Sequence, residues 1–417
     1  MPPPHAPSAN ALRYPAYVKY IVALLCHSFA AQIMTVAIGW QVYDITRDPW
    51  MLGLIGLSQF MPALVLVLVT GLVADRFNRR MIMGLCLSLE MLCGLAFLFF
   101  TLAHPGAVWP MFVILAVLGL ARAFLAPAAD ALSPNLLPRE AIPHGISLNS
   151  MSWQLANITG PVAGGLLYGI AGEAAYGTAA CLSALAVVLV IAMRRTTQSN
   201  RVEETTIHTL LAGFRFIKSE PVVLGAISLD LFAVLLGGAT ALMPVYARDI
   251  LQVNELGLGL LRSAPGVGAV AMALWLAKYG IKDHAGRILF VCVAAFGVFT
   301  VVFGVSVWLP LSIFALMMMG AFDMVSVYVR ETLMQLWTPD DVRGRVNAVN
   351  RVFIGASNEL GEFRAGSVAA LLSAKTAVVM GGVGTMAVAV LWGRMFPGLR
   401  EARKLEARPS ARETATA

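Results

Sequence analysis

Twelve long apolar runs, separated by short polar breaks, leave this chain few ways to fold. They cover roughly 17–43, 50–72, 81–103, 107–128, 144–170, 175–193, 221–247, 256–277, 288–306, 309–329, 346–372 and 375–396. An α-helix rises ~1.5 Å per residue, so about 20 apolar residues span the ~30 Å hydrocarbon core of a bilayer. Composition agrees: the chain is 59% apolar and 13% charged, against roughly 25% charged in a soluble domain. A chain of 417 residues could form two or three soluble domains, but these runs are too long and too many. The expectation is an all-α membrane protein with twelve transmembrane helices. The run at 144–170 is interrupted by Gly and Pro and is the least regular of the set.

The formal net charge of +7 would suit a nucleic-acid partner, but the positions of the charges argue otherwise. With both termini in the cytoplasm, 23 of the 30 Lys and Arg residues fall in inner loops and tails, Arg330 among them. Arg47, Arg248 and Lys375 fall in outer loops, and Arg122, Arg262, Arg351 and Arg364 within helices. The positive-inside bias therefore places both ends in the cytoplasm, and no nucleic-acid partner is expected. The five cysteines all sit in apolar runs without a CxxC pair, which reads as core thiols, not a disulfide framework or metal site. The N-terminal segment lacks the form of a signal peptide, so the first helix is expected to be retained. Asn157-Ile158-Thr159 matches a glycosylation acceptor but lies inside a helix.

One long polar break, 194–220, divides the chain. The expected layout is a six-helix bundle at 1–193, a cytoplasmic linker at 194–220, a second bundle at 221–397 and a cytoplasmic tail at 398–417. Within the linker, Ile207, Leu210, Leu211, Phe214 and Ile217 form one helical stripe, which suits an amphipathic helix on the inner membrane surface. The halves also resemble each other. A shift of 201 pairs Gly119 with Gly320, Pro138 with Pro339, Asn149 with Asn350, Gly160 with Gly361 and Gly165 with Gly366. Most of these residues set backbone shape and close packing. Two pseudo-symmetric six-helix bundles follow.

Residues 71–80, Gly-Leu-Val-Ala-Asp-Arg-Phe-Asn-Arg-Arg, join the second and third runs. The pattern resembles the signature loop between helices 2 and 3 of the major facilitator superfamily of transporters. The resemblance implies a gating loop of Gly71, Asp75, Arg76, Arg79 and Arg80, with Asp75 latching helix 2 to helix 11 in the outward-facing state. Asn78 departs from the Gly common there. A degenerate second copy runs from Gly280 to Arg287. Gly160, Pro161, Gly164 and Gly165 resemble the core of the helix 5 motif of proton-driven exporters, although Gln154 and Ala156 replace its upstream glycines. With Leu210–Phe216, Thr338-Pro339 and Arg343-Gly344-Arg345, the chain looks most like the bacterial group holding the enterobactin exporter and macrolide efflux proteins.

Ionisable groups inside the spans cost about 2.5–3.5 kcal/mol each on insertion scales, so they mark interior, purposeful positions. Glu362, Asp230, Glu359 and Asp323 are the proton-coupling candidates, in that order. Glu359 and Glu362 fall three apart on one helix face; two acids so close in a low-dielectric site resist ionising together, so one is expected to carry a proton. Arg122, Asp323 and Arg364 are the substrate-cavity candidates. The 201 shift places Arg122 opposite Asp323, and the family lines its cavity with helices 1, 4, 7 and 10. Glu90 and His27 read as structural.

No G-x-S-x-G, Walker loop, H-E-x-x-H or paired metal spacing is present. The chain therefore offers no catalytic residues, is not read as an enzyme, and calls for no cofactor or metal. Its energy source would be an ion gradient. The resemblance implies a monomer in the bacterial inner membrane, working with protons and a small-molecule substrate. The leading expectation is proton-coupled efflux of a siderophore- or drug-like amphipath by alternating access around a midplane site. An importer or facilitator is the alternative, and a non-transporting sensor or scaffold a remote one.

Overall fold

The computed structural model describes residues 9–103, 106–193, 207–281 and 283–402, apart from the side chains of residues 67, 68, 72, 74, 75, 207–212, 340 and 341. The Arg194–Glu204 part of the linker, Lys282 of the second loop copy, the tail beyond 402 and the Asp75 side chain lie outside this description. Among the described residues every regular element is helical.

The helices are α1 (Pro15–Thr46), α2 (Pro49–Arg76), α3 (Arg79–Ala103), α4 (Trp109–Leu132), α5 (Ile142–Ile170), α6 (Gly172–Ile191), α7 (Ile207–Ser219), α8 (Pro221–Gly237), α9 (Met243–Val245), α10 (Glu255–Tyr279), α11 (Ala285–Val305), α12 (Leu309–Trp337), α13 (Asp340–Leu371), α14 (Ala374–Met395) and α15 (Pro397–Arg400). Several begin with Pro in the first turn, where the missing N–H has no helical partner to lose. Asp48 caps α2 by accepting from the Trp50 N–H at 2.9 Å. Asn78 accepts from the Arg80 and Met81 N–H groups at 3.1 and 3.2 Å at the head of α3.

Among the described residues ten spans are long and apolar enough to cross a membrane. The other two long helices, α5 and α13, have the length, 29 and 32 residues, but a more polar make-up. The irregular run at 144–170 is thus one unbroken helix, with Pro161 inside it. The run expected at 221–247 is not. α8 ends at Gly237, with the Gly238 N–H bonded to Val234, and the chain continues through short turns to Ile250. Two successive glycines, poor helix formers, followed by Pro244 explain the break.

Two compact units emerge. The first holds residues 1–205 and 247–263, and the second 206–246 and 264–417. In the first, α1 packs on α5 and α6, α3 on α4 and α6, and α2 on α4. In the second, α8 packs on α13 and α14, and α11 on α12 and α14. The second pattern repeats the first one half-chain later. Lipid tails are as apolar as leucine, so helices in a bilayer associate through close packing and polar bonds. Both devices are present. Gly119 of α4 lies against the backbone of Gln59 on α2, and its repeat partner Gly320 against that of Pro265 on α10. Tyr17 and Tyr20 of α1 donate to the carbonyls of Gly145 and Ala129 at 2.6 and 2.9 Å, and Tyr176 of α6 donates to Gln41 at 2.7 Å. Tyr246 donates to Gly304 at 2.8 Å, and Thr385 of α14 to Ala233 of α8 at 3.0 Å.

Candidate functional site

Polar side chains gather inside each unit. In the second, Asp230 of α8 pairs with Arg330 of α12, both buried. Asp323 lies two turns before Arg330 on α12 and shares a small cavity with Asp230, Ser326, Cys292 and Phe296. Two of the proton-coupling candidates therefore meet, around one guanidinium. Arg330, read in sequence as a loop residue, is a buried helical one. The apolar run stops at 329 while the helix continues to Trp337, which is why an apolar count misses it. Glu359 and Glu362 are half-buried, one turn apart on α13.

Arg364, a substrate-cavity candidate, is bonded to backbone carbonyls. Its Nε and Nη2 donate to the carbonyls of Leu235 and Leu236 at 2.9 and 2.5 Å. These are C-terminal carbonyls of α8, left without helical partners by the break at Gly237. The guanidinium thus supplies donors where the backbone cannot.

In the first unit, Arg122 of α4 donates to Gln59 Oε1 of α2 at 2.7 Å and stands 3.7 Å from Glu90 of α3. Glu90 also bonds His27 Nδ1 of α1 at 2.7 Å. An ionised carboxylate only accepts, so His27 donates. His27 and Glu90, which the sequence gives no reason to join, are partners.

The 71–80 loop shows a local role for two of its cations. Arg79 donates to the Ala131 carbonyl at 3.0 Å, at the end of α4. Arg80 donates to Val190 at 2.9 Å and to Ile191, at the end of α6. Cations at helix C-termini satisfy orphan carbonyls and complement the helix dipole. Arg76 is exposed, and Gly71 half-buried.

The helix 5 glycines mark close approach. Gly160 faces Gln32, Gly164 faces the Ile33 backbone 3.0 Å from where a Cβ would stand, and Gly165 faces the backbone of Glu255. A Cβ on Gly259 of α10 would stand 2.6 Å from the Pro161 carbonyl. The motif is therefore the seat of residues 255–259, part of the segment that packs with the first unit. The preceding residues are tied to the same unit through charge. Asp44 meets Arg248 at 2.6 Å and Arg47 at 3.2 Å; Arg47 reaches Asp249 at 3.4 Å; Tyr43 donates to Asp249. Sequence reasoning had no signal for this ring beyond two outer-loop arginines. Among the described residues no three His, Cys, Asp or Glu side chains form a metal-holding group.

The family described as transmembrane secretion effector, MFS_3, matches residues 6–415. The chain belongs to this family. It is a transporter of the major facilitator type, an integral membrane protein that moves small molecules. The enterobactin exporter EntS of Shigella dysenteriae serotype 1 is 26% identical over 400 residues, covering 94% of each chain. EntS of Escherichia coli O1:K1 matches to the same extent. Among solved structures, the nucleoside transporter NupG has a TM-score of 0.71 at 13% identity, covering 91% of this chain and 99% of its own. A bacterial homologue of the human lysosomal transporter Spinster has 0.72 at 14%, covering 93% and 98%. These structural likenesses fix the fold as that of the superfamily, in which α1–α6, the α8–α9 span and α10–α14 supply the twelve membrane helices.

Proposed function

We propose that this transporter exports a small amphipathic, siderophore- or drug-like molecule in exchange for protons. The end-to-end likeness to the enterobactin exporter carries the reading. The interior chemistry supports it. Asp230 and Asp323 flank a cavity beside Arg330. An ionised carboxylate there accepts from hydroxyl or amide donors of a substrate, and a proton turns one of its oxygens into a donor and weakens that acceptance. Substrate and proton then exclude each other, which is the condition for antiport. Glu359 and Glu362 are the next candidates.

On this reading both termini are cytoplasmic, the protein is a monomer of the bacterial inner membrane, and residues 1–193 and 221–397 are the rocking halves joined by 194–220. Asp75 latches the 71–80 loop, α7 lies against the inner membrane surface, and the helix 5 motif with the Asp44–Arg248 ring seats residues 247–263 within the first unit. Arg122 lines the substrate path.

Everted membrane vesicles containing the protein test the direction and the driving force. With an acidic lumen they should accumulate enterobactin and lose it when nigericin collapses the gradient. Equilibration that ignores the gradient would favour a facilitator instead.

A further inference from the structure

His27, Glu90, Arg122 and Gln59 come from four helices and meet near the middle of each. The Glu90 side chain is 1% exposed, while those of His27 and Arg122 are 18% and 28% exposed. The carboxylate therefore lies behind, and the His27 and Arg122 side chains form the more accessible face of the cluster. A guanidinium at mid-membrane depth is costly against hydrocarbon, so that face belongs to a polar space. Arg122 Nε and Nη2 and Glu90 Oε1 are buried without a hydrogen-bond partner. The 3.7 Å pair is thus a Coulombic contact that leaves two buried guanidinium nitrogens of Arg122 unbonded, while its Nη1 donates to Gln59.

We propose that Glu90 sets the charge selectivity of the transporter: by neutralising Arg122 it makes the first unit receptive to neutral molecules bearing oxygen acceptors and unreceptive to anions. The inference rests on reading Arg122 as lining the substrate path. With His27 neutral, the cluster's charges cancel, and Cys86 and Cys93, which flank Glu90 on α3, add none. The guanidinium still donates hydrogen bonds to a carbonyl, sulfonyl or catechol oxygen. An anion reaching it meets the repulsion of the carboxylate behind. Removing that carboxylate leaves an uncompensated cation in a low-dielectric site, where charge attracts charge most strongly.

Counterflow in proteoliposomes without a pH gradient tests this, using neutral dansyl amide and anionic dansylglycine. Glu90→Gln, Glu90→Asp and the double variant Glu90→Gln/Arg122→Gln are compared after each is shown to be monodisperse with a sharp melting transition. The wild type should exchange the neutral probe in preference to the anion. Glu90→Gln should shift the ratio toward the anion by at least about tenfold, Glu90→Asp should keep the wild-type ratio, and the double variant should return to it with slower exchange of both probes. A ratio in Glu90→Gln within twofold of wild type, an anion preference that survives loss of Arg122, or exchange of neither probe by the wild type overturns the proposal. Because no gradient is imposed, a failure of proton coupling would sink the antiport reading alone and leave this ratio readable.

Discussion

The carboxylate of Asp230 on α8 and the guanidinium of Arg330 on α12 form an ion pair inside the second unit, with side chains only 10% and 4% exposed. Each charge is costly there alone, and the pair is tolerable because each ion replaces part of the other's lost hydration. The pair also sits beside Asp323, so a change in either carboxylate redistributes Arg330.

Removing one partner should therefore be worse than removing both. Asp230→Ala should cost about 3–5 kcal/mol by leaving a buried cation. Asp230→Ala/Arg330→Leu should recover most of that stability while remaining defective in coupled transport. Thermal melting in detergent reads the first effect and gradient-driven flux the second. Equal melting temperatures for the single and double variants would contradict the pairing argument.

Arg364→Leu should destabilise through the backbone of a neighbouring helix. The Leu235 and Leu236 carbonyls would each lose a charged donor, at about 1.5–3 kcal/mol per bond. Lysine, a single point of charge, should restore only part of the loss. Hydrogen–deuterium exchange at 233–239 should rise in Arg364→Leu before any global unfolding.

Asp75→Asn should leave the protein folded and well expressed while slowing transport severely, because a latch acid matters for switching and not for topology. Arg79→Gln and Arg80→Gln should differ from it. Their side chains cap α4 and α6, so they should lower the melting temperature as well. Full transport by Asp75→Asn would remove the latch.

The Asp44–Arg248 pair is partly exposed, at 42% and 31%, so its net contribution to stability should be below about 1 kcal/mol. Its effect on cycling should be larger, because it helps hold residues 247–263 on the first unit. Arg248→Ala should leave melting nearly unchanged and alter transport rate, and Asp44→Arg/Arg248→Asp should recover the wild-type rate. High salt should narrow the difference.

The helices were legible in the sequence because a membrane span declares itself by length and apolarity, and the more polar α5 and α13 were legible by their length. The Gly-Pro-x-x-Gly-Gly run was visible as a close-packing device, but not the surface it packs against, since nothing local encodes that Glu255 and Gly259 lie there. The break after Gly237 hid inside an unbroken apolar stretch. Arg330 was lost because an apolar count ends before the helix does. Arg364 was read as a substrate-cavity residue, and no local pattern encodes its partners, carbonyls some 130 positions away. His27 and Glu90 carried no pattern at all: a pairing across helices is a property of the packed unit, and each residue alone reads as an isolated polar exception.

Proton-coupled export is tested most directly by watching both fluxes together. Proteoliposomes with an acidic lumen and a trapped pH-sensitive dye, given enterobactin outside, should show the lumen turning alkaline in step with substrate entry, and Asp230→Asn should abolish the linked change. Substrate entry with no change in lumenal pH, or with acidification, would contradict the account.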